Sequence, residues 1–112
     1  MEQNRLNAYH IMWLFVFFDL PTNTKKERKA ASRFRKDLVQ DGFTMMQFSV
    51  YIRHCASKES GEVHTKRIRA VIPEKGLVSI LSVTDKQYGQ IMNFWGKTEK
   101  ALADGPKQLE LF

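Results

Sequence analysis

A single aspartate, Asp19, follows a continuous apolar run and is the clearest candidate for chemistry in this 112-residue chain. The run covers residues 12–18 and predicts a strand that is buried on both faces. A strand interior cannot bury an unpaired carboxylate without a large cost, and Pro21 forces the chain out of the sheet, so the carboxylate stands at the carboxyl end of the strand as a candidate site residue. An aspartate shortly before a proline is also common in turns, so a simple capping role for Asp19 stays open.

The residues after Pro21 carry a second chemical signal, a dense group of positive charges on a predicted helix. Thr22 or Thr24 can cap this helix, which we expect to continue to about Gln40 and to end at Asp41-Gly42. At about 100° per residue the apolar positions share one arc: Ala30, Ala31, Phe34 and Leu38. The opposite arc is basic: Lys25, Lys26, Arg28, Lys29, Arg33, Arg35 and Lys36. Such a face binds phosphates or simply remains solvated.

Charge and composition narrow the class of protein. The chain has 18 Lys and Arg against 12 Asp and Glu, a net charge of +6, which favours a polyanionic partner; solubility is the alternative. One cysteine, Cys55, excludes an internal disulfide and fits a reducing cytoplasm. Residues 1–10 are polar and the following apolar run is far below the ~20 residues that span a membrane. We expect a cytoplasmic protein without membrane contact.

The other chemically capable side chains form no recognisable catalytic set. His10, His54 and His64 lack metal-ligand spacing, and Ser49 has no nearby base in the sequence. We interpret His64 as a packing or surface residue of a helix, and Cys55 as a packing residue at a strand end.

The remaining chain alternates strands and helices. Residues 43–53 predict one kinked strand or two short ones, and Ser60 is a candidate cap for a helix over 61–72. Residues 77–84 alternate between apolar and polar side chains and predict a further strand. Residues 90–95 predict a short edge strand. We divide the chain into an N-terminal extension over 1–11, a domain over 12–96, and a tail over 97–112 that ends in an apolar docking segment.

This element order predicts an α+β fold, a ferredoxin-like sandwich of βαββαβ order plus a short C-terminal edge strand. Both helices then cover one face of an antiparallel sheet. The other face has more apolar surface than two helices can cover, which predicts a symmetric homodimer. The residues behind this expectation are Trp13, Phe15, Phe17 and Phe48.

Four segments in this order resemble the CRISPR-associated protein two family. They are WLFVFFDLPT over 13–22, KKERKAASRFRKDL over 25–38, GFTMMQFSVY over 42–51 and VSILSVTDKQYGQI over 78–91. The resemblance spans about residues 12–96 and is closest to the form found beside the single large RNA-guided effector nuclease. It implies a homodimer at the centre of the complex that inserts new spacers into a CRISPR array, held by two dimers of the CRISPR-associated integrase.

The resemblance also implies roles for particular residues. The family's strand-end aspartate, proposed to bind a divalent metal across the dimer axis, matches Asp19, which implies one Mg²⁺ per dimer. Its Gln-x-Ser-Val-aromatic strand matches Gln47, Ser49, Val50 and Tyr51. Two features depart from the family pattern: residues 1–11 precede the first strand, and Met45 or Met46 stands where many members have a basic residue.

Two main functions follow from these residues. The first is an architectural subunit that bridges two integrase dimers and binds the backbone of double-stranded spacer DNA. We expect it to use Lys25, Lys26, Arg28, Lys29, Arg33 and Lys36. The second is a metal-dependent phosphodiesterase, an endonuclease on DNA or RNA, in which paired Asp19 residues are catalytic. A third, an RNA-binding module with sheet aromatics, lacks most of its usual motif around Asp41-Gly42-Phe43.

The apolar terminus predicts a protein partner. Leu109, Leu111 and Phe112 alternate with Glu110 in the period of two that strand addition to an integrase sheet requires. Residues 108–112 also resemble the short Gln-Leu-x-Leu-Phe peptide by which bacterial replication proteins dock on the sliding clamp. The sequence leaves the integrase and the sliding clamp as alternative partners.

Overall fold

The computed structural model describes residues 11–100, which form six strands and three helices. They follow the chain as β1 (Met12–Asp19), α1 (Lys25–Gln40), β2 (Thr44–Gln47), β3 (Val50–Cys55), α2 (Lys58–Val71), β4 (Leu77–Thr84), α3 (Asp85–Tyr88), β5 (Asn93–Trp95) and β6 (Thr98–Lys100). No helix within this part of the chain is both long and apolar enough to span a membrane. The segment 43–53 forms two strands, one of the two arrangements that its sequence allowed.

A four-stranded antiparallel sheet in the order β2-β3-β1-β4 forms the centre of the molecule. Strand β1 is internal and pairs with β3 and β4 over most of its length, which explains why residues 12–18 are apolar on both sides. The predicted α+β, ferredoxin-like architecture is confirmed. Homodimer formation stays a prediction.

The two helices α1 and α2 pack on one face of this sheet. Alternate residues of β1 point toward them and form the main hydrophobic core. Its buried members are Leu14, Val16, Phe18, Phe34, Leu38, Phe43, Tyr51, Cys55 and Ile68.

The other sheet face is partly covered by the chain itself, which corrects one step of the sequence-based argument. The short helix α3, which the sequence analysis missed, places the ring of Tyr88 parallel to that of Trp13, with 3.8 Å between centroids. Trp13 and Phe15 are therefore buried without a second copy. Phe17 remains exposed on this face, and Phe48 remains exposed in the turn between β2 and β3, where its ring lies beside Arg35 of α1. The apolar surface left on this face is therefore smaller than expected.

Two element boundaries also differ from the prediction. Helix α2 begins one turn earlier, because Ser57 is the extended residue whose hydroxyl accepts a hydrogen bond from the Ser60 N–H at 3.0 Å. The strand expected over 90–95 exists as β5, but it pairs with β6 in a separate hairpin and does not extend the edge of the main sheet. Strand β6 also lies within the segment that was assigned to the tail.

Candidate nucleic-acid interface

Helix α1 begins with a complete capping box. The hydroxyl of Thr24 accepts a hydrogen bond from the Glu27 N–H at 3.1 Å, and the Glu27 carboxylate accepts one from the Thr24 N–H at 3.0 Å. These bonds satisfy backbone donors that would otherwise stay unpaired, so the first turn is fixed where the chain leaves Pro21.

One side of α1 is buried and the opposite side carries an exposed row of positive charge. Ala31, Phe34 and Leu38 face the sheet, as the spacing predicted. We define the basic row as Lys25, Lys29, Arg33 and Lys36, which share an arc of about 80° and are all exposed. Their side chains form no hydrogen bond or ion pair within residues 11–100. At about 1.5 Å per residue the row extends about 16 Å along the helix axis.

The other predicted basic residues flank this row. Lys26 is exposed, and Arg28 donates hydrogen bonds to the carbonyl oxygens of Thr22 and Asn23 at 3.1 and 3.3 Å, so it also fixes the entry to the helix. Arg35 is half-buried, with its guanidinium over the rings of Phe18 and Phe48. The structure thus places the six predicted nucleic-acid-binding residues together on the exposed side of α1 and sets the half-buried Arg35 apart from them.

The carboxyl end of α1 is held by a polar cluster around Asp41. Its carboxylate lies 2.7 Å from Nδ1 of buried His64 and accepts a hydrogen bond from Arg67 at 2.9 Å. Arg53 donates to the Asp41 carbonyl oxygen at 2.8 Å. Burial raises the pKa of Asp41, but the hydrogen bonds and positive charges of His64 and Arg67 outweigh it, so the pKa lies below its ordinary value.

His64 is therefore a packing residue, as expected from sequence, and it also joins the two helices. Its partner lies 23 positions away in the chain, so no local spacing could identify the pair. Among the other candidates, His54 lies edge-on to Trp13. Cys55 is fully buried, and this burial raises the pKa of its thiol, which disfavours the nucleophilic thiolate form. His10 lies outside the described residues.

Asp19 is exposed at the carboxyl end of β1, as the sequence predicted. Its backbone is fixed by register with Leu77 and by the turn before β4, where Gly76 has a φ of 101°. A Cβ atom on Gly76 would lie 2.8 Å from the Asp19 carbonyl oxygen. The glycine therefore allows the two chain segments to approach closely and sets the position of the aspartate.

A surface cavity of about 260 Å³ lies beside Asp19. It is lined by the ends of β1, β3 and β4 and by the turn between β2 and β3, where Ser49 has a positive φ of 66°. Residues 11–100 contain no cluster of three or more His, Cys, Asp or Glu side chains that could hold a metal ion. Because Mg²⁺ prefers several oxygen ligands, one copy of this region does not complete a magnesium site, and the Mg²⁺ expectation requires a second Asp19.

The predicted partner-binding residues Leu109, Leu111 and Phe112 lie outside the described residues, together with the rest of segment 108–112. Their roles stay predictions.

Comparison with known proteins identifies the family. Residues 12–91 match the family model of CRISPR associated protein Cas2. The chain is similar to the CRISPR-associated endoribonuclease Cas2 of Flavobacterium psychrophilum, with 56% identity over 108 residues that cover 96% of this chain and 94% of that protein. It is also 56% identical over 101 residues to the protein of the same name from Parvibaculum lavamentivorans, covering 90% and 100% of the two chains. The chain therefore belongs to the Cas2 family of CRISPR-associated proteins.

Proposed function

We propose that this chain is the central DNA-binding subunit of the complex that inserts spacers into a CRISPR array. In this role a homodimer bridges two integrase dimers and binds the phosphate backbone of the incoming double-stranded DNA. The observation that carries the proposal is the basic row on α1, together with the family membership. The complex would act in the cytoplasm, where the CRISPR array lies.

The basic row is suited to a phosphate backbone for two reasons. Its side chains are exposed and have no acidic partner within residues 11–100, so binding to DNA breaks no internal ion pair. The helix that presents it is anchored at both ends, by the Thr24 capping box and by the Asp41 cluster. A rigid row loses little conformational entropy of the backbone when it binds.

Salt dependence of duplex binding tests the proposal. Phosphate contacts release counterions, so affinity for duplex DNA should fall steeply between ~50 and ~200 mM salt, with little dependence on base sequence. Replacing Lys25, Lys29, Arg33 and Lys36 with alanine should flatten the plot of log affinity against log salt by about 0.9 for each phosphate that is no longer neutralised.

A matched control removes the same number of charges elsewhere. Lys58, Lys66, Arg69 and Lys97 are exposed and lie off α1. Their quadruple alanine variant should keep most of the salt slope, although its net charge is the same as that of the α1 variant. Equal slopes for the wild-type chain and the folded α1 variant would contradict the proposal.

The names of the relatives favour a second candidate function, an endoribonuclease. In this alternative a symmetric dimer brings two Asp19 carboxylates together, and a Mg²⁺ bound between them would supply an activated water for phosphodiester hydrolysis. Exposure of Asp19 beside a cavity supports it. The Asp19→Asn variant should then lose Mg²⁺-dependent RNA cleavage, because an amide keeps the shape of the side chain and loses its charge.

The terminal segment 108–112 is proposed to bind the integrase by strand addition, with the sliding clamp as the rival partner. Deleting residues 107–112 should weaken integrase binding by about 2 kcal/mol if two or three apolar side chains are buried. A pull-down that compares the full-length chain with the truncated chain, against integrase and against clamp, shows which of the two partners binds this segment. Undiminished integrase binding by the truncated chain would eliminate strand addition, and failure of the full chain to retain clamp would eliminate the rival.

A further inference from the structure

A cavity of about 510 Å³ lies between the first two turns of α1 and the segment 73–75, which leads from α2 into β4. Its size falls in the roughly 300–1,000 Å³ range of sites that enclose a small ligand or a few side chains. Asp19 does not line it, so it is separate from the cavity at the end of β1. We call it the apolar groove after its apolar lining residues: Leu20, Pro21, Ala30, Ala31 and Pro73.

Two alanines of α1 create the space in this groove. Ala31 is buried, whereas Ala30 is only half-buried and lines the groove together with Pro73. The apolar arc of α1 is therefore wider than the part of the helix that the sheet covers. Entry of further apolar side chains into the groove would remove their surface from water, which is favourable.

The rim of the groove carries charges that have no partner. Lys26, Lys75 and Glu74 are exposed and form no ion pair within residues 11–100. The fourth charged lining residue, Glu27, already accepts hydrogen bonds from the backbone N–H groups that precede α1. An occupant of the groove should therefore combine apolar side chains with an acidic group for the two lysines.

We propose that the segment 109–112 of this chain docks in the apolar groove. Its Leu-Glu-Leu-Phe sequence offers three apolar side chains for the lining and Glu110 for the two rim lysines, and the preceding Lys107 can face Glu74. The inference goes beyond the proposed function, because it gives the segment a site within its own chain. A docked segment cannot at the same time add a strand to the integrase, so the groove would control when the segment is available.

The chain beyond β6 is long enough to reach the groove. The β5–β6 hairpin follows α3, whose Tyr88 stacks on Trp13 near the amino end of β1, and the groove begins with Leu20 just past the other end of that strand. Trp13 and Leu20 are separated by about 24 Å of extended chain, at ~3.4 Å per residue. The chain from Lys100 to Leu109 can extend to about 30 Å, enough to follow β1 from end to end.

Limited digestion of the full chain with trypsin tests the inference, because trypsin cleaves after Lys107, directly before the segment. Release of residues 108–112 is followed by mass spectrometry. A docked segment is cleaved only when it leaves the groove, so the rate reports the released fraction. Ala30→Glu places a charged side chain in the groove and should raise this rate about tenfold.

Variants of the segment give a second, independent measurement. Replacing Leu109 and Leu111 with serine should raise the rate to a similar extent, and adding Ala30→Glu to these changes should have little further effect, because each disrupts the same contact. These serine variants leave residues 11–100 unchanged, so the test stands even if Ala30→Glu fails to fold. Ser32→Glu is the matched control, since it adds the same charge at an exposed position of α1 and should leave the rate unchanged.

Three results would overturn the inference. Equal rates for the wild-type chain and the serine variants would show that the segment is not docked. Equal acceleration by Ser32→Glu and Ala30→Glu would show an effect of charge alone. Protection that disappears on dilution would place the segment of a second copy in the groove. The digestion needs neither DNA nor integrase, so a failure of the proposed function, seen as a lack of salt-dependent binding to duplex DNA, is distinguishable.

Discussion

Asp19 and Asp41 stand in similar places in the chain and have opposite surroundings. Each stands at the carboxyl end of a long element, β1 or α1. The Asp41 carboxylate is mostly buried and satisfied by His64 and Arg67, whereas Asp19 is exposed and its carboxylate accepts no hydrogen bond within residues 11–100. Only the backbone of Asp19 is fixed, by the close approach of Gly76. The comparison indicates that Asp41 holds the fold and that Asp19 is available for a ligand.

Replacing Gly76, whose close approach fixes the backbone of Asp19, should have the largest effect on the free energy of unfolding. Gly76→Ala would place a Cβ atom 2.8 Å from the Asp19 carbonyl oxygen in a conformation that alanine rarely adopts. We expect the free energy of unfolding, measured in urea, to fall by about 3 kcal/mol.

Gly61→Ala is the matched control for this change. Gly61 lies in helix α2 and a Cβ atom there would meet nothing within 4 Å. Because alanine favours a helix over glycine, this variant should gain about 0.5–1 kcal/mol. A Gly76→Ala variant as stable as wild type would mean that the turn does not position Asp19.

Removing the Asp41 carboxylate should have the next largest effect on the free energy of unfolding. Asp41→Ala leaves the buried His64 ring without its partner, which should cost about 2 kcal/mol. The bond to Arg67 adds less, because the Arg67 side chain is 62% exposed to water. Asp19→Ala should change the free energy of unfolding by less than about 0.5 kcal/mol, as for other exposed positions.

Lowering the pH should remove part of the stabilisation that the Asp41 carboxylate provides. The pKa of Asp41 is lower in the folded chain than its ordinary value of 3.8, so the unfolded chain binds the proton more readily. The stabilisation is fully present above pH 3.8 and is lost as the pH falls through the lowered pKa. In acid titrations of stability, the difference between wild type and Asp41→Asn should shrink over this window. A difference that stays constant into strong acid would contradict the assignment.

The features predicted correctly from sequence are those that depend on local spacing. The apolar run that ends at Asp19 identified the central strand and its exposed carboxylate, and the period of α1 separated its buried side from its basic side. The sequence left Thr22 and Thr24 as alternative caps of α1, and the structure selects Thr24, whose capping box joins residues three positions apart.

The features that were missed depend on contacts between distant segments. Tyr88 covers Trp13 from 75 positions away on a helix of four residues, too short to give a periodic signal. Asp41 and His64 meet only because α1 and α2 pack side by side. The distinction between Ser57 and Ser60 as the cap of α2 also depended on backbone geometry, because both are serines before the same helical pattern.

We propose that this chain contributes DNA binding and geometry to spacer insertion, and that the Asp19 carboxylate is not needed for that reaction. The most direct test is spacer insertion by a reconstituted complex of integrase with the Asp19→Asn chain, after assembly has been verified. We expect insertion at close to the wild-type rate, because the amide keeps the shape of the side chain and leaves the basic row intact. An assembled complex that fails to insert spacers would contradict the architectural role and assign chemistry to Asp19.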